Sequence, residues 1–392
     1  MTASPAPSVS LGTVLVEWGR LGCTGFGGPP AHIALLRRLC VERRGWLSDT
    51  EFEDAVAACN LLPGPASTQL AIFCAWRVRG RLGAVVGGAA FIVPGLLLIL
   101  ALAALFLTGS PPAWVSGAGA GAGAAVAAVA VQAGAALAPA SRQRAASLPR
   151  WAAYLLAGGI ATVLLGPWLV VVLVACGVVE VLVRGAGRGG SPGDGPAAAR
   201  RMPALPVLAG MIAGGGVLAS IGVLALKVGA LSYGGGFVII PMMRADAVDT
   251  HHWMTDAQFL DAVALGQVTP GPVVQTIAVV GYAAAGLGGG LLASVVAFAP
   301  SFAFVLIGGD RFDSLRGDER VRAFLDGAGP AAIGAILGSA VTLAAALSQP
   351  WQYALLTGAA VALLVLRRGV VPTLLVAGAV GALLVGGGVV TR

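Results

Sequence analysis

The sequence predicts an all-α polytopic membrane protein built from two homologous helical repeats, with discontinuous helices in each repeat and about 10–13 membrane segments. Composition, the length of the apolar runs and an internal repeat predict this class. The 392 residues are 57% hydrophobic and 10% charged, whereas a soluble chain is typically about 25% charged. So little charge cannot cover the surface of a soluble protein of this length.

Several apolar runs reach the length of about 20 residues that a bilayer-spanning helix needs. The clearest are Leu82–Leu107, Ala113–Ala140, Pro206–Ala225, Gly286–Gly308, Ala328–Leu347 and Val371–Val390. Trp151–Val183 is also apolar, but Gly166-Pro167 divides it. It is either one kinked span or a tight hairpin.

An ungapped repeat at an offset of 207 residues is the most informative feature. The matched segments are Trp46–Phe52 with Trp253–Phe259, Asp54–Ala57 with Asp261–Ala264, Pro63–Pro65 with Pro270–Pro272, and Phe26–Gly28 with Tyr233–Gly235. The register extends over more than forty residues, which excludes chance. We predict a first transmembrane repeat over residues 1–190, a Gly-, Pro- and Arg-rich linker over 191–203, and a second repeat over 204–392.

Each repeat contains two predicted helix breaks. Ser48 with Glu51, and Thr255 with Gln258, have the spacing of capping boxes that begin a helix. Each helix then meets a Pro-Gly-Pro, which interrupts it because proline lacks an amide hydrogen and disfavours helix in the preceding residue. The helix that restarts afterwards would expose free amides and its positive dipole end, which favour an anion.

Candidate substrate-binding residues lie at these breaks and at the aromatic-Gly-Gly breaks upstream, because discontinuous helices at matching positions of two repeats indicate a transporter's binding site. They are Gly27, Gly28, Pro63, Gly64, Ser67, Thr68 and Gln69 in the first repeat, and Gly234, Gly235, Gly271, Gln275 and Thr276 in the second. Arg20 and Lys227 are paired by the repeat and complete the set. The alternative for both cations is that they extend to a membrane interface.

His32, Asp54 and Asp261 are candidates for gating or proton coupling. Asp54 and Asp261 could equally pair with Arg37 and Arg244, or favour the early turns of their helices. Three further interpretations are structural. Asp49 and Asp256 are first-turn dipole partners, Glu180 is interfacial, and the mixed-charge cluster from Asp310 to Asp326 is a solvated loop.

The remaining composition argues against other classes of function. The net charge of +7 comes almost entirely from arginine, and we attribute it to membrane loops rather than to nucleic-acid binding. The five cysteines form no CxxC pair and the three histidines have no metal-binding spacing. There is no nucleotide-binding P-loop and no dinucleotide fingerprint. We therefore expect no cofactor, no metal and no enzymatic activity.

Taken together, the motifs resemble the chromate ion transporter (CHR) family in its long, two-domain form. Phe26-Gly-Gly-Pro29 with His32, Trp46-Leu-Ser48 and Leu62–Gln69 are similar to the first signature region of the family, and Tyr233–Gly236, Trp253-Met-Thr255 and Thr269–Pro272 to the second. The second copy has Gly236 where the first has Pro29 and Ile239 where it has His32. A role for His32 is therefore confined to one half.

The resemblance implies secondary export of chromate across the bacterial cytoplasmic membrane, giving chromate resistance, with sulfate as the closest mimic. It also implies halves of opposite orientation. From the residues alone the orientation stays open: one crossing by Trp151–Val183 gives inverted halves, and a hairpin gives parallel ones. An antiporter with one central oxyanion site is the leading hypothesis, and a homodimer is an open alternative for its assembly. A transporter of sulfate or another oxyanion, an anion channel and a membrane-bound reductase are the alternatives.

Overall fold

A computed structural model describes residues 9–61, 64–107, 111–165, 169–186, 216–232, 236–308 and 319–390. Within these ranges the chain is entirely helical, with fourteen α-helices in two sets of seven. The first set is α1 (Leu11–Thr24), α2 (Gly28–Arg37), α3 (Asp49–Leu61), α4 (Ala66–Phe106), α5 (Ala113–Arg144), α6 (Leu148–Leu164) and α7 (Leu169–Ala186). The second set is α8 (Val217–Leu231), α9 (Ile239–Arg244), α10 (Asp256–Val268), α11 (Thr276–Gly308), α12 (Glu319–Ala345), α13 (Pro350–Ala360) and α14 (Val370–Gly386).

The two sets repeat the same local structure. Helices α3 and α10 each contain 13 residues and lie 207 positions apart. A π-helical turn extends α2 over Arg38–Arg43 and α9 over Ala245–Thr250, again at the same offset. The internal repeat is therefore confirmed as a structural duplication. The predicted linker at 191–203 lies outside the described residues, so those domain boundaries stay a prediction.

Four helices are long and apolar enough to cross a membrane: Ala66–Phe106, Ala113–Arg144, Val273–Gly308 and Glu319–Ala345. The first and third contain a sharp reversal. The backbone leaves helical geometry at Arg79-Gly80 and at Ala285-Gly286, where the glycines have φ values of 64° and 61°. Such positive φ values favour glycine because it lacks a Cβ. We call the arms α4a (66–78) and α4b (81–106), and α11a (276–284) and α11b (287–308).

In the first half, α4a runs back along α3, and α4b in turn runs back along α4a. Glu51, in the first turn of α3, forms an ion pair with Arg77 near the end of α4a. The chain therefore enters along α3 and returns along α4a, with the Pro-Gly-Pro at the tip of this re-entrant hairpin. In the second arm, Gly83 packs against Ala75 and Gly88 against Ile72, so α4b runs back along α4a.

Equivalent helices of the two halves run in opposite directions. In α4b, Gly88 packs against Phe302 of α11b, whereas Leu100 packs against Gly290. Residue numbers rise along one helix as they fall along the other, so these repeat-related helices are antiparallel. This is the arrangement of inverted repeats, in agreement with the inverted orientation in the predicted fold class.

Trp151–Val183 forms a hairpin rather than one kinked span. The Tyr154 hydroxyl near the start of α6 donates to Glu180 near the end of α7, at 3.1 Å. At the other end, Ala161 packs with Leu169. The expectation that a hairpin implies parallel halves was wrong. That expectation counted how often the chain crosses the membrane in the segment between the halves. The antiparallel packing of α4b against α11b instead gives the relative orientation of the halves directly.

Two charged regions also differ from their predicted description. Glu180 is buried rather than interfacial, and it accepts from Arg184 at 2.8 Å and from Tyr154. Asp326 lies within α12, not in a solvated loop, and accepts from Arg184 at 2.8 Å. A buried carboxylate needs such partners because desolvation is costly without them. These ion pairs join the α6–α7 hairpin to α12 of the second half.

Both predicted kinds of break are present. Helix α3 ends at Leu61 and α4 begins at Ala66, while α10 ends at Val268 and a 3-10 turn, Val273–Gln275, leads into α11. Helix α1 ends at Thr24, before α2 begins at Gly28. Both capping boxes form: Glu51 and Ser48 exchange backbone and side-chain hydrogen bonds, as do Gln258 and Thr255.

Candidate functional site

The helix breaks of opposite halves contact one another in the interior. The Gly271 amide of the second Pro-Gly-Pro donates to the Gly25 carbonyl at the end of α1, at 2.9 Å. In the other direction, a Cβ placed on Gly64 of the first Pro-Gly-Pro would lie 3.3 Å from the Gly229 carbonyl oxygen in α8. Each Pro-Gly-Pro tip therefore lies against the broken first helix of the other half. The repeats are interleaved at the position predicted for the site.

His32 joins the two kinds of break within the first half. Its Nε2 lies 2.9 Å from the Gly25 carbonyl oxygen, and its Nδ1 lies 3.2 Å from Ser67 Oγ. Since a carbonyl can only accept, Nε2 carries a hydrogen, and in the neutral ring Ser67 donates to Nδ1. The ring is buried and meets Phe91 edge-on. His32 therefore positions the start of α4a against the end of α1.

Gln275 holds the second tip against α4b of the first half. Its Nε2 donates to the Ile92 carbonyl at 2.6 Å. This bond fixes the side-chain amide and directs Oε1 toward Gly95, whose added Cβ would lie 2.9 Å from that oxygen. The Pro270 carbonyl also approaches Gly95 too closely for any side chain there. Gly95 is thus required by the close approach of the second tip.

The tips also carry buried polar atoms without a hydrogen-bond partner among the described residues. Those on the segments that form or contact the tips are Thr68 Oγ1, Ser232 Oγ, Gln267 Nε2, Gln275 Oε1 and Ser301 Oγ. An unsatisfied buried polar group costs about 1–3 kcal/mol, and native proteins contain few of them. Their concentration at the helix breaks indicates a place where a polar ligand or water completes the structure.

The other predicted residues at the breaks have the following positions. Gly27, between α1 and α2, and Gly28, the first residue of α2, both adopt positive φ, and Gly28 faces Val273 of the second half. Gln69 is fully buried, with its Nε2 next to Gly64. Thr276 donates to the Val273 carbonyl at 2.9 Å, so its hydroxyl is already used within its own turn. Pro63, Gly234 and Gly235 lie outside the described residues.

Arg20 and Lys227 are exposed and bound to carboxylates. The Arg20 side chain is 68% exposed and lies 3.9 Å from Glu17. The Lys227 side chain is 43% exposed and donates to Asp246 at 3.1 Å. Glu17, which Arg44 also binds, and Asp246 are nearly buried. The cations lie on the broken helices α1 and α8, but on their exposed faces.

The paired carboxylates differ between the halves. Asp261 is buried (1% exposed) beside Gly119 of α5, and it lines a cavity of about 230 Å³ together with Phe106 and Leu265. Asp54 is only partly buried. The ion pairs described for Arg37 are with Asp49 and Glu53, and those for Arg244 are with Asp249 and Asp256.

Arg37 and Arg244 bind the first-turn carboxylates, so Asp49 and Asp256 are more than dipole partners. Arg37 pairs with Asp49, and Arg244 Nε donates to Asp256 at 2.8 Å. Near this end of α3, the Ser48 backbone amide, its hydroxyl and the Arg77 guanidinium hold the pKa of Glu51 below its usual range. These surface pairs fasten the outer ends of the re-entrant hairpins.

Sequence reasoning missed several residues of the site. Ser232 and Ser301 stand at positions equivalent to Gly25 and Gly95, and Gln267 lies just before the second Pro-Gly-Pro. The signal was available for Ser232, where the 207-residue offset pairs a serine with a glycine. For Ser301 the offset falls to 206, as Pro94 and Pro300 show. An ungapped comparison therefore could not find it.

Comparison with known proteins agrees with this arrangement. The sequence profile described as "Chromate transporter" matches residues 12–181 and again residues 219–386. The chain belongs to the chromate transporter family. It is a multi-pass membrane protein of a transporter family and not an enzyme. The two matches coincide with the two structural repeats.

Curated relatives cover nearly the whole chain. A chromate transport protein of Cupriavidus metallidurans is 33% identical over 376 residues, covering 95% of this chain and 92% of that protein. A chromate transport protein of Pseudomonas aeruginosa is 31% identical over 357 residues, covering 88% and 83%. A probable chromate transport protein of Synechococcus elongatus is 29% identical over 338 residues, covering 86% and 85%. No solved structure matches the chain.

Proposed function

We propose that this protein is a secondary transporter that exports chromate from the cytoplasm through one site at the interface of its two inverted repeats. The observation that carries the proposal is the meeting of the Gly-Gly and Pro-Gly-Pro breaks of opposite halves, exemplified by the Gly271–Gly25 hydrogen bond across the interface. Relatives named as chromate transport proteins, matched along almost their full length, support chromate as the substrate.

The restarted helices supply the attraction for an anion. The restarts begin at α4a and at the 3-10 turn before α11, where the first turn-closing amides are those of Thr68 and Gln275. The amides before them lie at a helix start, and the positive end of the helix dipole lies there. The backbone at the helix breaks would shape the site. The residues concerned are Gly27, Gly28, Pro63 and Gly64 in the first half, and Gly234, Gly235 and Gly271 in the second. Ser67, Thr68, Gln69, Gln275 and Thr276 would complete it with side-chain polar groups.

Arg20 and Lys227 are proposed to supply compensating charge along the pathway to the site. Both lie on the helices that lead to the Gly-Gly breaks, and each is accompanied by a nearly buried carboxylate. A passing dianion would compete with Glu17 and Asp246 for these cations. Arg20→Ala and Lys227→Ala should abolish export while insertion persists, and wild-type export by both variants would exclude this role.

His32, Asp54 and Asp261 are proposed to couple or gate transport. His32 connects the two breaks of the first half, so a change in its hydrogen bonds moves one break relative to the other. Asp261 is buried within the bundle, and carboxylates inside membrane proteins commonly belong to proton relays. Rocking of the inverted halves around the site would then alternate access.

The deciding experiment is radiolabelled chromate flux in inverted membrane vesicles. We expect saturable uptake that unlabelled sulfate inhibits and that an imposed pH gradient alters. Saturable sulfate flux without chromate flux would assign another oxyanion. Unsaturable flux that follows only the electrochemical gradient would indicate a channel, which could use the same helix termini. Expression in a bacterium, with fractionation, tests the cytoplasmic membrane location, and cross-linking in the same vesicles tests a homodimer.

A further inference from the structure

Three buried hydroxyls distinguish the first Pro-Gly-Pro tip from the second. Thr68, Ser232 and Ser301 are each fully buried, and their hydroxyl oxygens have no hydrogen-bond partner among the described residues. Thr68 belongs to α4a, in the first turn after the first tip. Ser232 follows α8, and Ser301 lies in α11b. Two of the three therefore come from the opposite half of the molecule.

The contacts of the repeat bring these hydroxyls to one place. Gly95 of α4b lies against Gln275 of the second tip. The repeat equivalents of Gly95 and Gln275 are Ser301 and Thr68. Since the equivalent helices are related by the inverted repeat, the symmetry predicts that Ser301 faces Thr68 at the first tip as Gly95 faces Gln275 at the second.

Direct contacts place Ser232 beside them. Gly64 of the first tip packs against the Gly229 carbonyl, and Gly229 in turn packs against the Ala297 carbonyl of α11b. Ser232 lies three residues after Gly229, and Ser301 one helical turn after Ala297. Ser232 and Ser301 therefore each lie within about one helical turn of a residue in the series of contacts Gly64–Gly229–Ala297, which begins at the first tip.

We propose that Thr68, Ser232 and Ser301 form the oxyanion-binding subsite of the transporter, beside the first Pro-Gly-Pro tip only. Each hydroxyl can donate one hydrogen bond to an oxyanion, and the positive start of α4a lies at the same level. At the second tip the equivalent positions hold Gln275, Gly25 and Gly95: Gln275 Nε2 donates to the Ile92 carbonyl, the Gly25 carbonyl accepts from the Gly271 amide, and neither glycine has a hydroxyl. This inference rests on the proposed function and places the bound oxyanion at only one of the two Pro-Gly-Pro tips.

The test replaces each serine by the residue that the other half uses. Ser232→Gly and Ser301→Gly, with Thr68→Val, are compared with Ser339→Ala, which removes a buried hydroxyl that already donates to the Ile336 carbonyl of its own helix. Chromate uptake is measured in proteoliposomes containing the full-length protein. We expect the KM for chromate to rise at least tenfold in each subsite variant and to stay unchanged in Ser339→Ala, because hydrogen bonds to charged groups are the strong ones.

The melting temperature of each variant without substrate shows whether the variant is correctly folded. Thr68→Val should leave the melting temperature unchanged or raise it, since no hydrogen bond is lost, whereas Ser301→Gly should lower it slightly, because glycine inside a helix is destabilising. In wild type, chromate should raise the melting temperature, and the shift should disappear in the subsite variants. This second measurement also separates the two proposals. A shift by sulfate alone, without chromate transport, contradicts the proposed substrate but supports the subsite.

Two results would overturn the subsite. One is an unchanged KM, together with an unchanged chromate-induced shift, in Ser232→Gly and Ser301→Gly. The other is a flux that depends on sodium in wild type and not in these variants, with an unchanged KM for chromate, because hydroxyls and carbonyls together can also bind a cation. Either outcome would leave the proposed export of chromate standing.

Discussion

The two Pro-Gly-Pro tips arise from one duplicated motif, yet the structure uses them differently. The second tip is tied to the first half by the Gly271–Gly25 and Gln275–Ile92 hydrogen bonds. At the first tip we place the proposed subsite of Thr68, Ser232 and Ser301, whose hydroxyls have no partner among the described residues. Both tips contact the opposite half, and under this proposal duplication has left the second tip bound by hydrogen bonds across the interface and the first tip available to a ligand.

The largest expected effect comes from disturbing the tied tip. Gly95→Leu should prevent correct packing, because the Pro270 carbonyl and Gln275 occupy the space of any side chain at residue 95. Overpacking of this kind costs about 1–3 kcal/mol or more. We expect most of the protein to be lost from the monodisperse peak in size-exclusion chromatography after detergent extraction.

Gly288→Leu is the matched control for Gly95→Leu. A Cβ at Gly288 would have no atom within 4 Å, and the residue lies in the same kind of apolar helix. Its elution profile should match that of wild type. Equal recovery of both variants would show that the second tip tolerates separation from α4b.

The second effect concerns the two repeat-related carboxylates. Asp261→Asn should lower chromate flux about tenfold and remove its dependence on an imposed pH gradient, because intramembrane carboxylates commonly relay protons. Asp261 is the one charged residue lining its cavity among the described residues, with lining side chains from α4b, α5, α10 and α14. Flux at several pH gradients in vesicles provides the measurement.

Asp54→Asn serves as the comparison, since Asp54 is the repeat equivalent but only partly buried. We expect it to retain the pH dependence and most of the flux. If both variants respond alike, burial does not decide which carboxylate couples transport, and the functional asymmetry would be confined to the tips.

A third effect tests the connection between the breaks of the first half. His32→Ile installs the residue that the second half has at this position. It leaves the Gly25 carbonyl and Ser67 with one partner fewer, at a cost of about 1–3 kcal/mol. We expect a lower melting temperature and about tenfold lower flux. His251→Ile, at an exposed histidine that stacks on Trp253, should leave the flux unchanged.

Much of this architecture could be predicted from the sequence because it depends on local chemistry. Proline dictates the break at Pro270, and the Thr255–Gln258 spacing dictates the start of α10; both appear where expected. The exposed positions of Arg20 and Lys227 could not be predicted, because a cation in an apolar helix carries no information about the face it occupies.

The partners of charged groups were equally inaccessible to sequence reasoning. Asp261 and Asp256 lie five residues apart on α10, and which of them meets Arg244 depends on how α9 packs against that helix. Ser301 was missed because one residue fewer separates it from the second tip than separates Gly95 from the first. Tertiary packing, rather than propensity, decides such positions.

The smallest expected effect is at the capping boxes, where the halves are most alike. Thr255→Ala and Ser48→Ala each remove a hydroxyl that accepts from the third amide of the helix, at 3.2 Å in both cases. Losing such a cap costs about 1 kcal/mol. The two variants should therefore lower the melting temperature by similar small amounts with unchanged KM for chromate. If the KM changes in only one of the two variants, the difference between the tips extends to the capped starts of α3 and α10. The lost cap would then affect substrate binding at one tip through the helix that leads to it.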